Sequence, residues 1–140
     1  MFKKEQIIIP RAVWKEVVEQ GGKKKGAQQV KSSKWIHVED VEDIPLVKLL
    51  DTHLDKGESE AIVLALKYQN SLLIIDEKEA RDVAQSLNLK FIGTIGVLIK
   101  AKQKGYIQSL KTELALLRNK GKFWIAETLY NEILKKAKED

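Results

Sequence analysis

The 140-residue sequence contains no cysteine and only two histidines, His37 and His53. The lack of cysteine excludes disulfide bonds, thiolate metal sites and a cysteine nucleophile. The two histidines stand alone, so the sequence offers no paired histidine ligands for zinc. No apolar run approaches the ~20 residues of a membrane-spanning helix, and no apolar segment follows the first lysines as it would in a signal peptide. We therefore expect a cytoplasmic protein that does not enter the membrane.

The balance of charge is positive, with 25 Lys and Arg against 20 Asp and Glu and a net charge of +5. An excess of this sign favours a polyanionic partner such as RNA. The same composition, rich in Lys, Glu and Ile, is also typical of the surface of a thermophilic protein. Lysine clusters at 23–25, 100–104 and 135–138 are predicted to be solvated, so charge alone does not identify a partner.

Short apolar segments alternate with longer amphipathic segments along the whole chain. This order predicts βα units, a mostly parallel sheet covered by helices on both faces, and a single domain over residues 1–140. The predicted strands are 6–9, 35–38, 71–75 and 90–92. The predicted helices are 11–20, a weak one ending near 33, 46–54, 55–69, 76–87, 94–105, 108–119 and 127–138. The run Leu72–Ile75 lacks alternation, which indicates a strand buried on both faces, and Trp35 and Trp124 are predicted to pack in the core.

Three carboxylates are expected at one edge of the predicted sheet. Asp76 directly follows the strand that ends at Ile75, Glu58 lies in the first turn of the preceding helix, and Glu16 lies on the helix after the first strand. In an open parallel sheet, ligands bind beyond the carboxyl ends of the strands. Clustered carboxylate oxygens suit Mg²⁺ or Mn²⁺. The pattern makes these three acids candidate metal ligands.

Each acid also has a structural interpretation. Asp76 with Glu79, and Asp55 with Glu58, have the spacing of a capping box, in which two side chains satisfy backbone N–H groups at the start of a helix. Glu16 has the position of an ordinary surface charge. The spacing of the acids therefore does not by itself name a function.

Four ordered motifs resemble those of PIN domains. They are the strand–Pro–helix segment Ile7–Val17, the helix start Asp55–Ile62, the strand with its terminal acid and the following turn Leu72–Arg81, and the last strand and helix Phe91–Leu98. The pattern from Leu129 to Leu134 is similar to that of one branch, whose members are described as predicted nucleic-acid-binding proteins. The resemblance covers essentially the whole chain and implies a three-layer α/β/α fold.

The resemblance also implies a metal-dependent ribonuclease, often the toxin of a toxin–antitoxin pair as in the VapC-like toxins, with RNA and an antitoxin protein as partners. Glu16, Glu58 and Asp76 would then hold one or two Mg²⁺ or Mn²⁺ ions, and a metal-bound hydroxide would attack a phosphodiester. Glu79 would be an auxiliary acid. Thr94 would hydrogen-bond a ligand or the scissile phosphate, with a helix N-cap as its alternative role.

PIN domains begin with a central strand that ends in a fourth acid, and residues 1–6 offer no counterpart to it. In the family, this strand lies between those that correspond to Ile7–Ile9 and Leu72–Ile75. We therefore expect either direct pairing of these two strands or a strand from another chain, as in a homodimer. Because one acid is absent, two other functions stay open: a non-catalytic module that binds nucleic acid or a protein, and an oligomerisation domain.

Overall fold

The computed structural model describes residues 7–121 and 123–139. The chain divides into two compact units, the first ending at Ile92 and the second beginning at Gly93. Helices alternate with short parallel strands in the first unit, which confirms the predicted α/β class. Residues 1–6, including Gln6 at the start of the first predicted strand, lie outside the described residues.

The strands of the first unit pair two by two. They are β1 (Ile7–Pro10), β2 (Ile36–Glu39), β3 (Leu72–Ile74) and β4 (Lys90–Ile92). β1 lies parallel to β2, with Ile7 opposite Ile36. β3 lies parallel to β4, with Leu72 opposite Lys90. The predicted strand positions and their parallel direction are confirmed.

The helices of the first unit follow the predicted order with shifted ends. They are α1 (Arg11–Trp14), a π-helical segment (Lys15–Glu19), α2 (Lys25–Ser32), α3 (Ile44–Leu50), α4 (Lys56–Lys67) and α5 (Lys78–Ser86). Helix α3 begins earlier than predicted because the Asp43 side chain accepts the N–H of Leu46 at 3.1 Å and caps the helix there. Pro45 is tolerated in this first turn, where its missing N–H would have no partner within the helix.

Helix α4 organises the core of the first unit. The buried cluster consists of Leu54, Ile62, Ala65, Leu73, Ile75, Ala80 and Ala84. Ala80 and Ala84 are four residues apart and therefore lie on one face of α5. Their small side chains let α5 pack closely on this cluster, whose burial is the main term that stabilises the unit.

Strand β3 is buried on one face only. Leu73 is buried, whereas Leu72 is 37% and Ile74 50% exposed. The prediction of a strand buried on both faces is therefore wrong. The strand contacts α4 on the side of Leu73, and successive side chains of a strand point to opposite faces, so Leu72 and Ile74 are turned away from that core.

Among the described residues, β1 and β3 do not pair with each other, although both contact α4. In the described part of the chain, each of them is hydrogen-bonded along one edge only. An open edge presents unpaired N–H and C=O groups to a further strand. The expected direct pairing of these two strands is thus not found, and the alternative, a strand from another chain, stays a prediction.

The second unit consists of three helices in its described part. They are α6 (Thr94–Gln103), α7 (Leu110–Asn119) and α8 (Glu127–Lys136), close to the predicted ranges. The buried cluster comprises Leu110, Leu114, Ile125, Ile133 and Leu134. Leu110 and Leu114 occupy one face of α7, which accounts for the amphipathic pattern in the sequence.

Glu139 ties the end of the chain to the start of α7. Its carboxylate accepts the N–H of Leu110 at 2.9 Å, the N–H of Lys111 at 3.2 Å and the hydroxyl of Ser109 at 3.1 Å, and it lies 3.2 Å from Nζ of Lys102. Burial alone would raise the pKa of the Glu139 carboxyl, but these donors lower it to about 2. The charged form of Glu139 thus stabilises the second unit.

Two tryptophans lie outside the core. Trp35 is 42% exposed just before β2, and Trp124 is 82% exposed in the loop between α7 and α8. The prediction that both pack in the core is wrong. In the loop of Trp124, the neighbouring Ile125 takes the buried position. Of the helices described, none has the length and apolar character needed to cross a bilayer.

Candidate functional site

The start of α4 is held by a capping box. Oδ1 of Asp55 accepts the N–H of Glu58 at 2.8 Å, and the N–H of Asp55 donates to Oε1 of Glu58 at 3.1 Å. The predicted capping box is therefore confirmed. It occupies one carboxylate oxygen of Glu58 and fixes the direction of the side chain.

The other oxygen of Glu58, Oε2, is buried and has no hydrogen-bond partner among the described residues. Burial raises the pKa of the Glu58 carboxyl, and the negative charges of Asp55 and Glu77 raise it further, against the lowering effect of the Asp55 N–H. The influence of Glu77 indicates that the start of α5 lies near Glu58. A buried carboxylate oxygen without a donor is unfavourable, and a bound cation would satisfy it.

Glu16 lies in the π-helical segment and reaches the same turn of α4. The N–H of Gln20 donates to the carbonyl of Lys15 at 2.9 Å, a spacing of five residues, and π-helical turns are frequent at functional sites. Oε2 of Glu16 lies 3.3 Å from the point that a Cβ on Gly57 would occupy. The buried Gly57 thus lets the Glu16 carboxylate approach the first turn of α4.

Gly21 makes the end of the π-helical segment possible. A Cβ at this position would stand 2.0 Å from the carbonyl oxygen of Val17 and 2.9 Å from Cβ of Ala27. No side chain fits in that space. Gly21, the residue after the predicted helix 11–20, therefore permits the close approach of α2 to the segment that carries Glu16.

A cleft of about 440 Å³ lies beside Glu16. Its lining residues are Arg11, Ala12, Lys15, Glu16, Gln20, Asp55, Lys56, Gly57 and Glu60. The cleft joins the segment after β1 to the start of α4. It also contains Glu60, which the sequence pattern does not single out.

Glu60 is 7% exposed and takes part in the start of α1. The N–H of Ala12 donates to its Oε1 at 2.9 Å. Helix α1 needs this acceptor because its N-cap, Pro10, has no side-chain oxygen. The spacing of apolar residues in the sequence gives a signal for this position. Val63 and Leu64 follow Glu60 by three and four residues, so Glu60 shares the face of α4 that these apolar side chains bury.

Asp76 follows β3 at its carboxyl end. Its Oδ1 lies 3.9 Å from Nη2 of Arg81, and Nε of Arg81 donates to the carbonyl of Ile75 at 3.3 Å. Helix α5 begins at Lys78 with Glu77 as its N-cap and without a side-chain cap. The Asp76–Glu79 capping box is therefore a wrong prediction.

Two predicted auxiliary residues lie in first turns of helices. Glu79 is exposed in the first turn of α5. Thr94 is the first residue of α6 in the second unit, where Gly93 is the N-cap. The alternative role of Thr94 as an N-cap is thus wrong, and its ligand role stays a prediction.

Within residues 7–121 and 123–139, no group of three or more acids or histidines has the arrangement of a metal site. The structure brings Glu16 to Gly57, beside Glu58, and places Glu77, the neighbour of Asp76, within electrostatic range of Glu58. Joint ligation by Glu16, Glu58 and Asp76 remains a prediction.

The comparison with protein families agrees with the motifs. A family model described as a PIN domain matches residues 3–139, so the chain belongs to the PIN-domain family. This family is of the nuclease type, its members are generally metal-dependent, and it suggests nucleic-acid binding. Neither a curated protein nor a solved structure matches the chain.

Proposed function

We propose that the protein is a ribonuclease that uses Mg²⁺ or Mn²⁺ held by Glu16, Glu58 and Asp76. The observation that supports this proposal is the buried Oε2 of Glu58, which has no donor among the described residues. The carboxyl pKa of Glu58 is raised by burial and by negative neighbours. A divalent cation would replace the missing donors and offset the crowded charge.

Each residue of the proposed site would have a role that follows from its position. The capping box keeps Oε1 of Glu58 occupied and leaves Oε2 for the cation. Glu16 and Asp76 would add oxygens from the π-helical segment and from the end of β3, with Glu79 as an auxiliary acid and Thr94 as a donor to the phosphate. When bound, the metal lowers the pKa of water and stabilises charge on the leaving oxygen.

A calorimetric titration with Mn²⁺ tests this assignment. Wild type is expected to bind the metal, whereas Asp76→Asn and Glu58→Gln lose binding together with cleavage of an RNA oligonucleotide. Glu132→Gln, at an exposed position of α8, removes the same charge and is the control. Absence of heat at millimolar Mn²⁺, with no cleavage, would contradict the proposal.

A non-catalytic module that binds nucleic acid is the second candidate. It is favoured by the lack of a preformed metal-ligating cluster in the part of the chain that the structure describes. Binding of RNA that is equal in EDTA and in Mn²⁺, without cleavage in either, would support this function over the first.

We further propose a homodimer in which a strand of the second copy pairs with the open edges of β1 and β3. The exposed Ile74 and Leu72 support this, because a neighbouring strand would bring apolar side chains next to them. Light scattering during gel filtration should give the mass of a dimer for the wild type. Ile74→Lys should shift the measured mass towards that of a monomer. Leu49→Lys, which makes the same change at an exposed position of α3, should leave the dimer mass unchanged. A monomer at all concentrations would refute the dimer.

Three further features belong to the same proposal: an antitoxin protein as a partner, a cytoplasmic location, and folding of residues 1–140 as a single domain. An antitoxin partner is expected if the ribonuclease is the toxin of a toxin–antitoxin pair, as the family resemblance implies. An antitoxin strand that pairs with the open edges of β1 and β3 would give a complex of two different chains. Co-expression with a candidate antitoxin, followed by mass measurement of the complex, distinguishes it from the homodimer.

A further inference from the structure

The cleft beside Glu16 carries basic as well as acidic groups. Arg11, Lys15 and Lys56 line it, and Glu16, Asp55 and Glu60 line it too. The three positive and three negative formal charges cancel. The acids and the basic residues differ, however, in the hydrogen bonds and ion pairs that they already make.

Two of the three acids already have backbone donors. Asp55 accepts the N–H of Glu58 at 2.8 Å, and Glu60 accepts the N–H of Ala12 at 2.9 Å. Both N–H groups lie in first turns of helices, where the backbone donors carry partial positive charge. Glu16 has no such donor among the described residues. All three acids keep their charge, but among the described residues no ion pair joins them to Arg11, Lys15 or Lys56, whose partners lie elsewhere or are not found.

The basic side chains are accessible to a ligand. Lys15 is exposed and makes no ion pair with any described residue. Lys56 lies 3.8 Å from Asp51, a long pair whose acid is 30% exposed, and Arg11 lies 3.1 Å from Asp40, which is 74% exposed. Ion pairs that solvent screens in this way contribute about 0–1 kcal/mol. Both residues can therefore turn to another anion at small energetic cost.

We propose that Arg11, Lys15 and Lys56 bind a backbone phosphate of RNA beside Glu16, and so position the strand at the metal site. This inference rests on the proposed ribonuclease function. A guanidinium binds phosphate through two parallel N–H groups, and lysines add point charges. The exposed lysines 23–25 follow the end of the π-helical segment after three intervening residues and add positive charge further along the chain.

Fluorescence anisotropy with a labelled single-stranded RNA, in EDTA, tests the inference without any metal contribution. The double variant Lys15→Glu/Lys56→Glu is expected to bind about tenfold more weakly and to flatten the slope of log K against log salt by ~0.7 for each phosphate that it no longer neutralises. The matched control is Lys48→Glu/Lys90→Glu, which makes the same charge change at exposed positions of α3 and β4. Circular dichroism verifies that both variants fold. Equal affinities of the two double variants, or no RNA binding by wild type, would overturn the inference.

Competition distinguishes an RNA backbone from a free anion. Unlabelled RNA should displace the labelled strand, whereas inorganic phosphate at millimolar concentration should not. Displacement by inorganic phosphate at that concentration would overturn the assignment to a backbone in favour of a simple anion site.

The cleft and the catalytic proposal can fail independently. Glu58→Gln is expected to lose cleavage while it keeps RNA binding. If wild type cleaves RNA and the cleft variants bind it normally, the inference about the cleft is refuted and the nuclease stands. If no divalent metal supports cleavage but the cleft variants lose RNA binding, the nuclease proposal is refuted and the inference about the cleft stands.

Discussion

The N–H of Ala12 donates to the buried carboxylate of Glu60 at 2.9 Å and joins two helices across 48 positions of sequence. This bond satisfies a donor at the start of α1 that Pro10 leaves without a side-chain acceptor. The π-helical segment continues directly from α1, so the same bond helps to determine where Glu16 meets α4. Glu60 therefore acts on the candidate site through the position of a neighbouring helix.

Replacement of Glu60 should separate its hydrogen bond from its charge. Glu60→Ala leaves the N–H of Ala12 unsatisfied in a part-buried place and is expected to lower the free energy of unfolding by ~1–3 kcal/mol. Glu60→Gln retains an acceptor oxygen and should cost less. Urea denaturation measures both, and equal losses for the two variants would disprove the role of the hydrogen bond.

Gly21 and Gly26 provide a matched pair of substitutions. Gly21→Ala forces a methyl group against the carbonyl of Val17, so we expect destabilisation of ~1–3 kcal/mol. Gly26→Ala places the methyl in open space within α2, where it should stabilise by ~0.4–1 kcal/mol. Urea midpoints of the two variants should therefore move in opposite directions. A stable Gly21→Ala variant would show that the π-helical segment can relax.

Glu58→Gln should stabilise the metal-free protein at neutral pH. The pKa of this carboxyl is raised in the folded state, so its charged form opposes folding above that pKa. The wild type recovers stability as pH falls through the raised pKa towards the ordinary value of 4.5. Thermal unfolding of both proteins between pH 8 and ~4 should show a difference that shrinks as pH falls.

Addition of Mn²⁺ should reverse this order. A ligand that binds only the folded state raises its stability with concentration, so the wild type should gain from Mn²⁺ and Glu58→Gln should not. A lower stability of Glu58→Gln in EDTA at neutral pH would contradict the burial of an unfavourable charge at this site.

Glu139 should make the second unit sensitive to acid. Its pKa is lowered to about 2 from 4.5, so its stabilising effect is complete above the ordinary pKa and is lost as pH falls from 4.5 towards 2. Glu139→Gln should have a lower thermal midpoint than wild type at neutral pH. The difference between the two midpoints should become smaller in acid. The exposed Glu132→Gln should leave both midpoints unchanged. A constant difference across this pH range would exclude the proposed effect of the charge.

Several features follow from short stretches of sequence. The capping box at Asp55 and Glu58 depends on residues three apart, and the structure contains both of its hydrogen bonds. The strand positions depend on local apolar runs, and their parallel direction on the intervening helices. The order of these motifs also sufficed to indicate the PIN-domain family, which the family comparison confirms over residues 3–139.

Other features depend on what surrounds a residue. Ile74 is exposed because it points away from the core on the side of Leu73, and no pattern within β3 reveals which of its faces is covered. Trp124 is exposed because the adjacent Ile125 turns into the core of the second unit. Asp76 has the spacing of a cap, but α5 starts later, at Lys78.

The sequence by itself determined the elements, the parallel direction of the strands and the family, because local hydrogen bonds and side-chain periodicity act over a few residues. The tertiary structure alone decided that Glu60 caps α1, that Glu16 meets the turn of Gly57, and that three cations share their cleft. These contacts join residues about forty positions apart or more, whose meeting depends on how α1 and α4 pack. The arrangement of the candidate site therefore depends on that packing, whereas the motifs in the sequence suffice to identify its acids.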